Sequence, residues 1–363
     1  MPEALCARPP DQIFCVNPAR QYSFAPDGVC VHPVGMRIEP LTDATIDQAH
    51  AVLRAAAEWD VPDLPPVAKS VFAVAVRHPF PGTEQERYLA VDGDGTAVGF
   101  LGLNLPQYDN LDNVSILLVV APSHRRQGFG RALHAHAVER ARVAGRKRLI
   151  GTTAGARPDG ASFAAAMGAE AALRETRSRF DVGGADRERL DALRAEAWRH
   201  ADGYRLVQWI GVPPDEFLED LAYLDGRLLS DAPVGDLVME AERVDGARVR
   251  GNEEARRARG MTAFHTGAVH TATGRLVAWS TLTGTDAAPE HAWQQITIVH
   301  PAHRGHRLGL IVKLENLRHI RAARPGLTAV DTINASANER MLAINRLMGF
   351  RPADTEIQWQ QAL

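Results

Sequence analysis

The first half of the chain runs through alternating apolar and polar stretches that predict an ordered series of elements. Residues 36–40 predict a short opening strand. Ile46, Ala49, Val52, Leu53 and Ala56 recur at helical spacing, so a helix is expected to about Glu58. Thr42 or Asp43 can cap it, and Pro62, Pro65 and Pro66 break it. Residues 67–77 fit either a helix or an extended run. Residues 87–91 and 96–105 flank Asp92-Gly93-Asp94-Gly95 and read as a hairpin. The apolar run 114–120 predicts a strand that stops at Pro122. A basic turn follows, Arg125-Arg126-Gln127-Gly128-Phe129-Gly130-Arg131. Leu133, Ala137, Val138, Ala141 and Ala144 then mark one face of a helix. A strand at 149–153, a short helix at 162–167 stopped by Gly168, and a strand at 178–182 complete the unit.

The pattern then returns. A joint at Gly183-Gly184 leads into a polar helix, 185–200, whose few large apolar residues are Leu190, Leu193 and Trp198. After it come a strand at 205–210, an acidic-started helix at 213–229 and a charged helical stretch at 240–259. A hairpin (262–270, 276–283), a strand (294–299) ending at His300-Pro301, a helix, a strand (328–333), a helix (338–347) and a last strand (356–360) follow. Pro122 matches Pro301, Arg125 matches Arg304, and Gly130 matches Gly309. This is an internal repeat at domain scale. The expected division is an extension at 1–35, a unit at 36–182, a linker helix at 183–201 and a second unit at 202–363, in an α/β fold with mixed sheets.

The turn at 125–131 carries the chemistry. A strand, a glycine-bearing turn and a helix start present unpaired backbone N–H groups at the positive end of a helix dipole, which suits a phosphate or pyrophosphate. Gly128 and Gly130 remove side chains where oxygens approach, and Arg125, Arg126 and Arg131 add charge-assisted donors. No Gly-Lys-Ser/Thr ending makes this a Walker loop. Leu133 stands where a dinucleotide fingerprint needs its third glycine.

Arg-x-x-Gly-x-Gly after a strand ending Val-x-Pro resembles the pyrophosphate loop of the GNAT superfamily of acyl-CoA N-acyltransferases. The element order of 36–182 is similar to that family throughout. Two such units resemble its tandem members. The C-terminal unit is similar to an actinobacterial tandem group through Asp231-Ala232-Pro233-Val234-Gly235-Asp236-Leu237, His303-Arg304-Gly305-His306-Arg307-Leu308-Gly309 and Asn334-Ala335-Ser336-Ala337-Asn338.

The resemblance implies an N-acetyltransferase. Acetyl-CoA would lie with its pyrophosphate on Arg125, Arg126, Gln127, Gly128, Phe129, Gly130 and Arg131, and its pantetheine arm beside Leu118, Val119 and Val120. An amine would attack the thioester directly. A backbone N–H near Leu118 would stabilise the oxyanion. The amine must lose a proton, and Asp112 is the candidate base, with Asp109, Glu290 and His291 in comparable turns. The tyrosine that often protonates the leaving thiolate is missing: its places hold Phe163 and Asn345. In the second loop Arg307 stands where the first glycine belongs, so the first unit is the expected cofactor site. A catalytically inactive acyl-CoA-binding protein is the alternative.

Composition adds limits. Hydrophobic residues make up 45% of the 363 and charged residues 23%, as in a soluble globular protein. A net charge of −3 gives no reason to expect nucleic acid or an anionic membrane as partner. No apolar run approaches the ~20 residues of a membrane span, and a cytoplasmic monomer or homodimer acting on a small-molecule amine is expected. Cys6, Cys15 and Cys30 match no zinc spacing. His300, His303 and His306 lack a nearby carboxylate or cysteine, so a phosphate-facing or exposed role is expected and no metal. Asn338 is expected to cap its helix, and Asn334 and Asn345 are further polar candidates.

Overall fold

The computed structural model describes residues 35–363 and, before them, three two-residue strands, β1 (Ala4–Leu5), β2 (Ser23–Phe24) and β3 (Cys30–Val31). Cys6, Cys15 and most of the expected 1–35 extension lie outside the described residues. The chain forms two compact units. The N-terminal unit runs to Arg174 and takes in Gly235–Leu237 and Asp354–Leu363; the C-terminal unit holds Glu175–Val234 and Val238–Ala353. Among the described residues no helix is long and apolar enough to cross a membrane.

The N-terminal unit contains β4 (Arg37–Pro40), α1 (Ile46–Asp60), α2 (Lys69–Arg77), β5 (Thr83–Val91), β6 (Ala97–Pro106), β7 (Asn113–Val120), α3 (Phe129–Val143), β8 (Arg148–Ala154) and α4 (Pro158–Ala166). The ambiguous stretch 67–77 is helical from Lys69. Strands β4 to β7 are antiparallel neighbours, whereas β7 and β8 are parallel and need α3 as their crossover. Strand alternation sorts the core. Leu101, Leu103, Leu118 and Val120 pack with Leu133 and Ala137 of α3. Leu89, Phe100 and Val119 pack with Ala49, Val52 and Ala56 of α1. Leu118 and Leu133 are fully buried, each worth roughly 2 kcal/mol of transfer free energy.

The chain continues through β9 (Glu170–Asp181), α5 (Arg187–Trp198), β10 (Tyr204–Ile210), α6 (Leu218–Gly226), α7 (Leu228–Asp231), α8 (Gly246–Ala258), β11 (Met261–His270), β12 (Leu276–Thr285), β13 (Ala288–Val299), α9 (Leu308–Ala323), β14 (Ala329–Ala335), α10 (Glu339–Met348) and β15 (Arg351–Ala362). The closing strands are exchanged. Residues 178–182, expected to close the first unit, belong largely to β9, which pairs antiparallel with β14 of the C-terminal unit from Asp181↔Ala329 to Glu175↔Ala335. The N-terminal unit is closed instead by β15, which pairs with β8. Polar matches fix each partner. Arg177 and Arg179 of β9 both bind the buried carboxylate of Asp331 on β14, at 2.9 and 2.8 Å. Trp359 of β15 donates to the Thr153 hydroxyl on β8 at 2.8 Å.

The helix read as an inter-domain linker belongs to the C-terminal unit. Leu190 and Ala197 of α5 share a core with Leu310, Leu314 and Leu317 of α9. Arg194 and Trp198 of α5 bond Glu315 of α9 at 3.1 and 3.0 Å. With the sheet on its other side, α9 is buried from Leu308 to Leu317, including Lys313, Glu315 and Asn316. Asn316 is satisfied by the Phe264 and Ser280 carbonyls at 2.9 and 3.2 Å.

Candidate active site

Each unit has a sheet that parts at one point. In the N-terminal unit β7 pairs with β8 only over Asn113, Val114 and Ser115. In the C-terminal unit β13 pairs with β14 only from His291 to Gln294. Ser115 and Gln294 are repeat equivalents, in step with Pro122 and Pro301. Beyond them Leu118, Val119 and Val120 keep β6 as neighbour on one edge, and β8 no longer pairs with the other. Their side chains are core, so only this backbone edge is available to a ligand. A cleft between parting strands, opening toward a helix N-terminus, accepts an extended chain carrying a phosphate.

The two turns share one backbone. In the first, Arg126 and Gly128 have φ of 65° and 94°; in the second, Gly305 and Arg307 have φ of 93° and 56°. Both turns thus use two left-handed positions, and each gives one to glycine and one to arginine, in exchanged order. The arginine costs roughly 1 kcal/mol wherever it stands. A Cβ on Gly128 or Gly305 would meet nothing within 4 Å. Arg307 therefore does not close the second turn: it is exposed and makes no hydrogen bond or ion pair among the described residues. In the first turn the earliest helical N–H to find a carbonyl is that of Ala132, on Gly128 at 3.2 Å; in the second it is that of Ile311, on Arg307 at 3.1 Å. The N–H groups of Arg126, Gln127, Gly128, Phe129, Gly130 and Arg131 have no protein acceptor among the described residues. Arg126 is exposed and unpaired, and the Nε of Arg131 is buried without a partner. These donors fit a pyrophosphate.

Arg125 is turned into the protein. Its guanidinium makes two bonds to Asp60 at the end of α1, at 3.0 and 2.6 Å, and a third to the Val120 carbonyl at 3.2 Å. Both side chains are buried. Arg304 repeats the device on Asp231 at 2.8 Å and on the Val299 carbonyl at 3.3 Å. Asp231 holds a second guanidinium, Arg227. The strut ties the end of the central strand to the helical segment before the hairpin. Sequence inspection missed both aspartates. The motif at 231–237 carried the signal for one, through Asp231 and through Gly235, whose φ of 58° lets its backbone approach the Ala172 carbonyl.

Asp112 is held between two cations. It lies on the paired side of the split, and Lys147 and Arg148 contact its carboxylate at 3.0 and 3.5 Å. The hydrogen bond from Lys147 lowers its pKa further below the carboxylate range. His291 donates from Nε2 to the Asp331 carboxylate, 2.7 Å away, and the Glu290 carbonyl is used by Thr328. Phe163 is core, edge-on to His134. Asn345 is buried, its amide donating to Asn334 at 2.6 Å. Asn338 caps α10 by accepting from the Met341 N–H. Among the three spaced histidines, His303 bonds the Tyr204 hydroxyl at 2.9 Å and His306 contacts the His200 carbonyl at 3.2 Å. Burial, then neighbouring Arg227 and Arg304, lower the pKa of His300, so it adds no charge to the turn at neutral pH.

Each unit thus joins a parting pair of parallel strands to a glycine-bearing turn at a helix start, and the arrangement is present twice. The family model described as Acetyltransferase (GNAT) family matches residues 53–168. A tandem GNAT protein from the clavulanic acid biosynthesis pathway, solved without AcCoA, is 31% identical over 90% of this chain and 98% of its own, with a TM-score of 0.76. The chain belongs to the GNAT acetyltransferase family, in its tandem form, and is an acyltransferase. A GCN5-related N-acetyltransferase from Sphaerobacter thermophilus shares the fold at 16% identity, covering 91% of this chain and 96% of that one, with a TM-score of 0.65. A glucosamine N-acetyltransferase region of a fungal multi-domain GH3 beta-N-acetylglucosaminidase shares it at 15%, covering 92% and 39%, with a TM-score of 0.64. No curated protein matches the chain.

Proposed function

We propose that the protein is an N-acetyltransferase that moves acetyl from acetyl-CoA to the amine of a small molecule in the cytoplasm. The observation that carries this reading is the row of six unpaired N–H groups at the start of α3, beside the unpaired Arg126 and Arg131 and in line with the open edge of β7. The pyrophosphate lies on 126–131, and Arg125 positions that turn through Asp60. The pantetheine arm runs along Leu118, Val119 and Val120 as an added strand. The amine attacks the thioester carbonyl, and an N–H of that edge near Leu118 stabilises the oxyanion. The equal backbone of the second turn supports a second acyl-CoA there.

Calorimetric titration of acetyl-CoA into wild type, Gly128→Trp and Gly309→Trp tests it. Wild type should bind, and each variant should lose one site. Loss through Gly309→Trp alone would move the working site to the C-terminal unit, and absence of binding in wild type would sink the reading for both. A second reading, acyl-CoA binding without catalysis, is favoured by the absence of a phenol at Phe163 and Asn345. Release of free thiol in the presence of an amine separates the two.

A further inference from the structure

The repeat that equates Pro122 with Pro301 and Gly130 with Gly309 also equates His134 with Lys313. Both sit on the helix that follows the turn, His134 half-buried and Lys313 fully buried, and each is held by one side-chain amide oxygen. His134 contacts the Gln361 oxygen at 2.7 Å and packs edge-on to Phe163, 6.1 Å between centroids. Lys313 donates to Asn345 at 2.6 Å, and its Nζ stands 5.1 Å from the centre of the Phe350 ring. In each unit the base meets the position that the family resemblance assigns to a phenol, Phe163 in one and Asn345 in the other.

The bonding at Lys313 has a direction. Lys313 donates to Asn345, Asn345 donates to Asn334 at 2.6 Å, and Asn334 donates to the Ile333 carbonyl at 2.6 Å. Asn334 lies two residues beyond Thr332, the last residue of β14 to pair with β13. This chain of donors fixes the buried amine relative to the stretch of β14 just past its pairing with β13. Lys313 has no other hydrogen bond or ion pair among the described residues, so the amine keeps open valences inside the protein.

Among the described residues no charge pairs with it. Across the α5–α9 contact, Arg194 of α5 engages Glu315 and Asp191 of α5 engages Arg318. On β11, His265 lies beside Glu253. On β13, His291 is held by Asp331, and on α10, Arg346 is held by Glu339. Burial alone acts on Lys313 and pushes its pKa down to about 7. Burial also lowers the pKa of His134; the Gln361 hydrogen bond opposes this and Arg131 reinforces it. One repeat position thus holds two unlike bases.

Resting on the acyl-transfer reading above, we propose that this shared position, His134 in one unit and Lys313 in the other, receives the proton that leaves the attacking amine and hands it to the departing CoA sulfur. The amine nitrogen bonds to the acyl carbon, the carbon–sulfur bond breaks with its electron pair going to sulfur, and the base passes one proton from nitrogen to sulfur. The products are amide and CoA thiol, and the base is regenerated.

Free CoA is the probe, because its thiol is the group the base must serve. Bound CoA is titrated with pH while thiolate absorbance in the ultraviolet is followed, with CoA binding measured in parallel by calorimetry. In wild type the thiolate and the protonated base form an ion pair inside the protein and each stabilises the other, so thiolate should appear about one to two pH units below the ~8.5 of a free thiol. Lys313→Met and His134→Leu should each return one site to the free-thiol range, and the double variant both. Lys313→His, which installs the other unit's base, should restore the low transition. A folded double variant that binds CoA with the wild-type thiolate curve would overturn the proposal while leaving the acyl-CoA reading intact. A wild type that does not bind CoA would overturn both.

Discussion

The two turns differ in sequence where they agree in shape. Residues 125–131 contain the full glycine pattern, whereas 304–310 carry arginine at the first glycine. Yet both have left-handed backbone at the same two places, both leave the first-turn N–H groups free, and both are braced by a buried arginine–aspartate pair. The helices behind them are what differ. Helix α3 keeps a partly exposed flank, with Arg131 and His134 half-buried, while α9 is covered by α5 and buries Lys313, Glu315 and Asn316. An anion turn is a backbone device, so it tolerates side-chain exchange. The proton chemistry depends on what the covering elements shut away from water.

The largest expected effect breaks the braces. Asp60→Ala leaves Arg125 buried without its partner and should cost about 3–5 kcal/mol in denaturant unfolding. Asp231→Ala strands both Arg304 and Arg227, and should cost at least as much. Changes of the size seen at an exposed ion pair would show that the braces do not hold the turns.

Removing the buried amine tests the covered helix. Burial pushes Lys313 down to about 7 in the folded chain, from the 10.5 of an ordinary lysine. Between those values the unfolded chain binds the extra proton, so stability rises with pH from about 7 to 10.5 and is lost as pH falls back toward 7. Lys313→Met should therefore stabilise most at or below pH 7, and its gain should shrink steadily toward pH 10.5. A gain independent of pH, read from melting curves across that window, would place the ammonium in contact with water.

A milder change converts one turn into the other. Arg126→Gly with Gly128→Arg gives the first turn the glycine order of the second. Acetyl-CoA affinity of the N-terminal unit should stay within about tenfold, roughly 1.4 kcal/mol, because the free N–H groups are unchanged. A hundredfold loss would mean that the glycine order, not the shared backbone, selects the ligand. The smallest effect belongs to Arg307→Gly, which should stabilise the chain by roughly 1 kcal/mol by relieving a left-handed arginine.

The legible parts were those written in local pattern. The amphipathic face of α3, the strand before it, the repeat of Pro122 and Pro301 and the cap at Asn338 depend on neighbours in sequence, and each appears as its pattern predicts. Arg125 was legible as important but not in its role, because its partner Asp60 is 65 residues away. Asp112 read as a candidate base because turn carboxylates before strands are alike in sequence. Only Lys147 and Arg148 distinguish it, and they reach it through the β7–β8 pairing.

By itself, the sequence determined the element order, the doubling of the unit and the glycine-bearing turn before a helix at 125–131, since these rest on periodicity and backbone freedom. The tertiary structure decided where the last strands pair, which arginine braces and which stays free, and how far His134 and Lys313 are shut away from water. Those outcomes depend on which buried charges and hydrogen-bond donors find partners, and a partner across the sheet leaves no mark in local pattern.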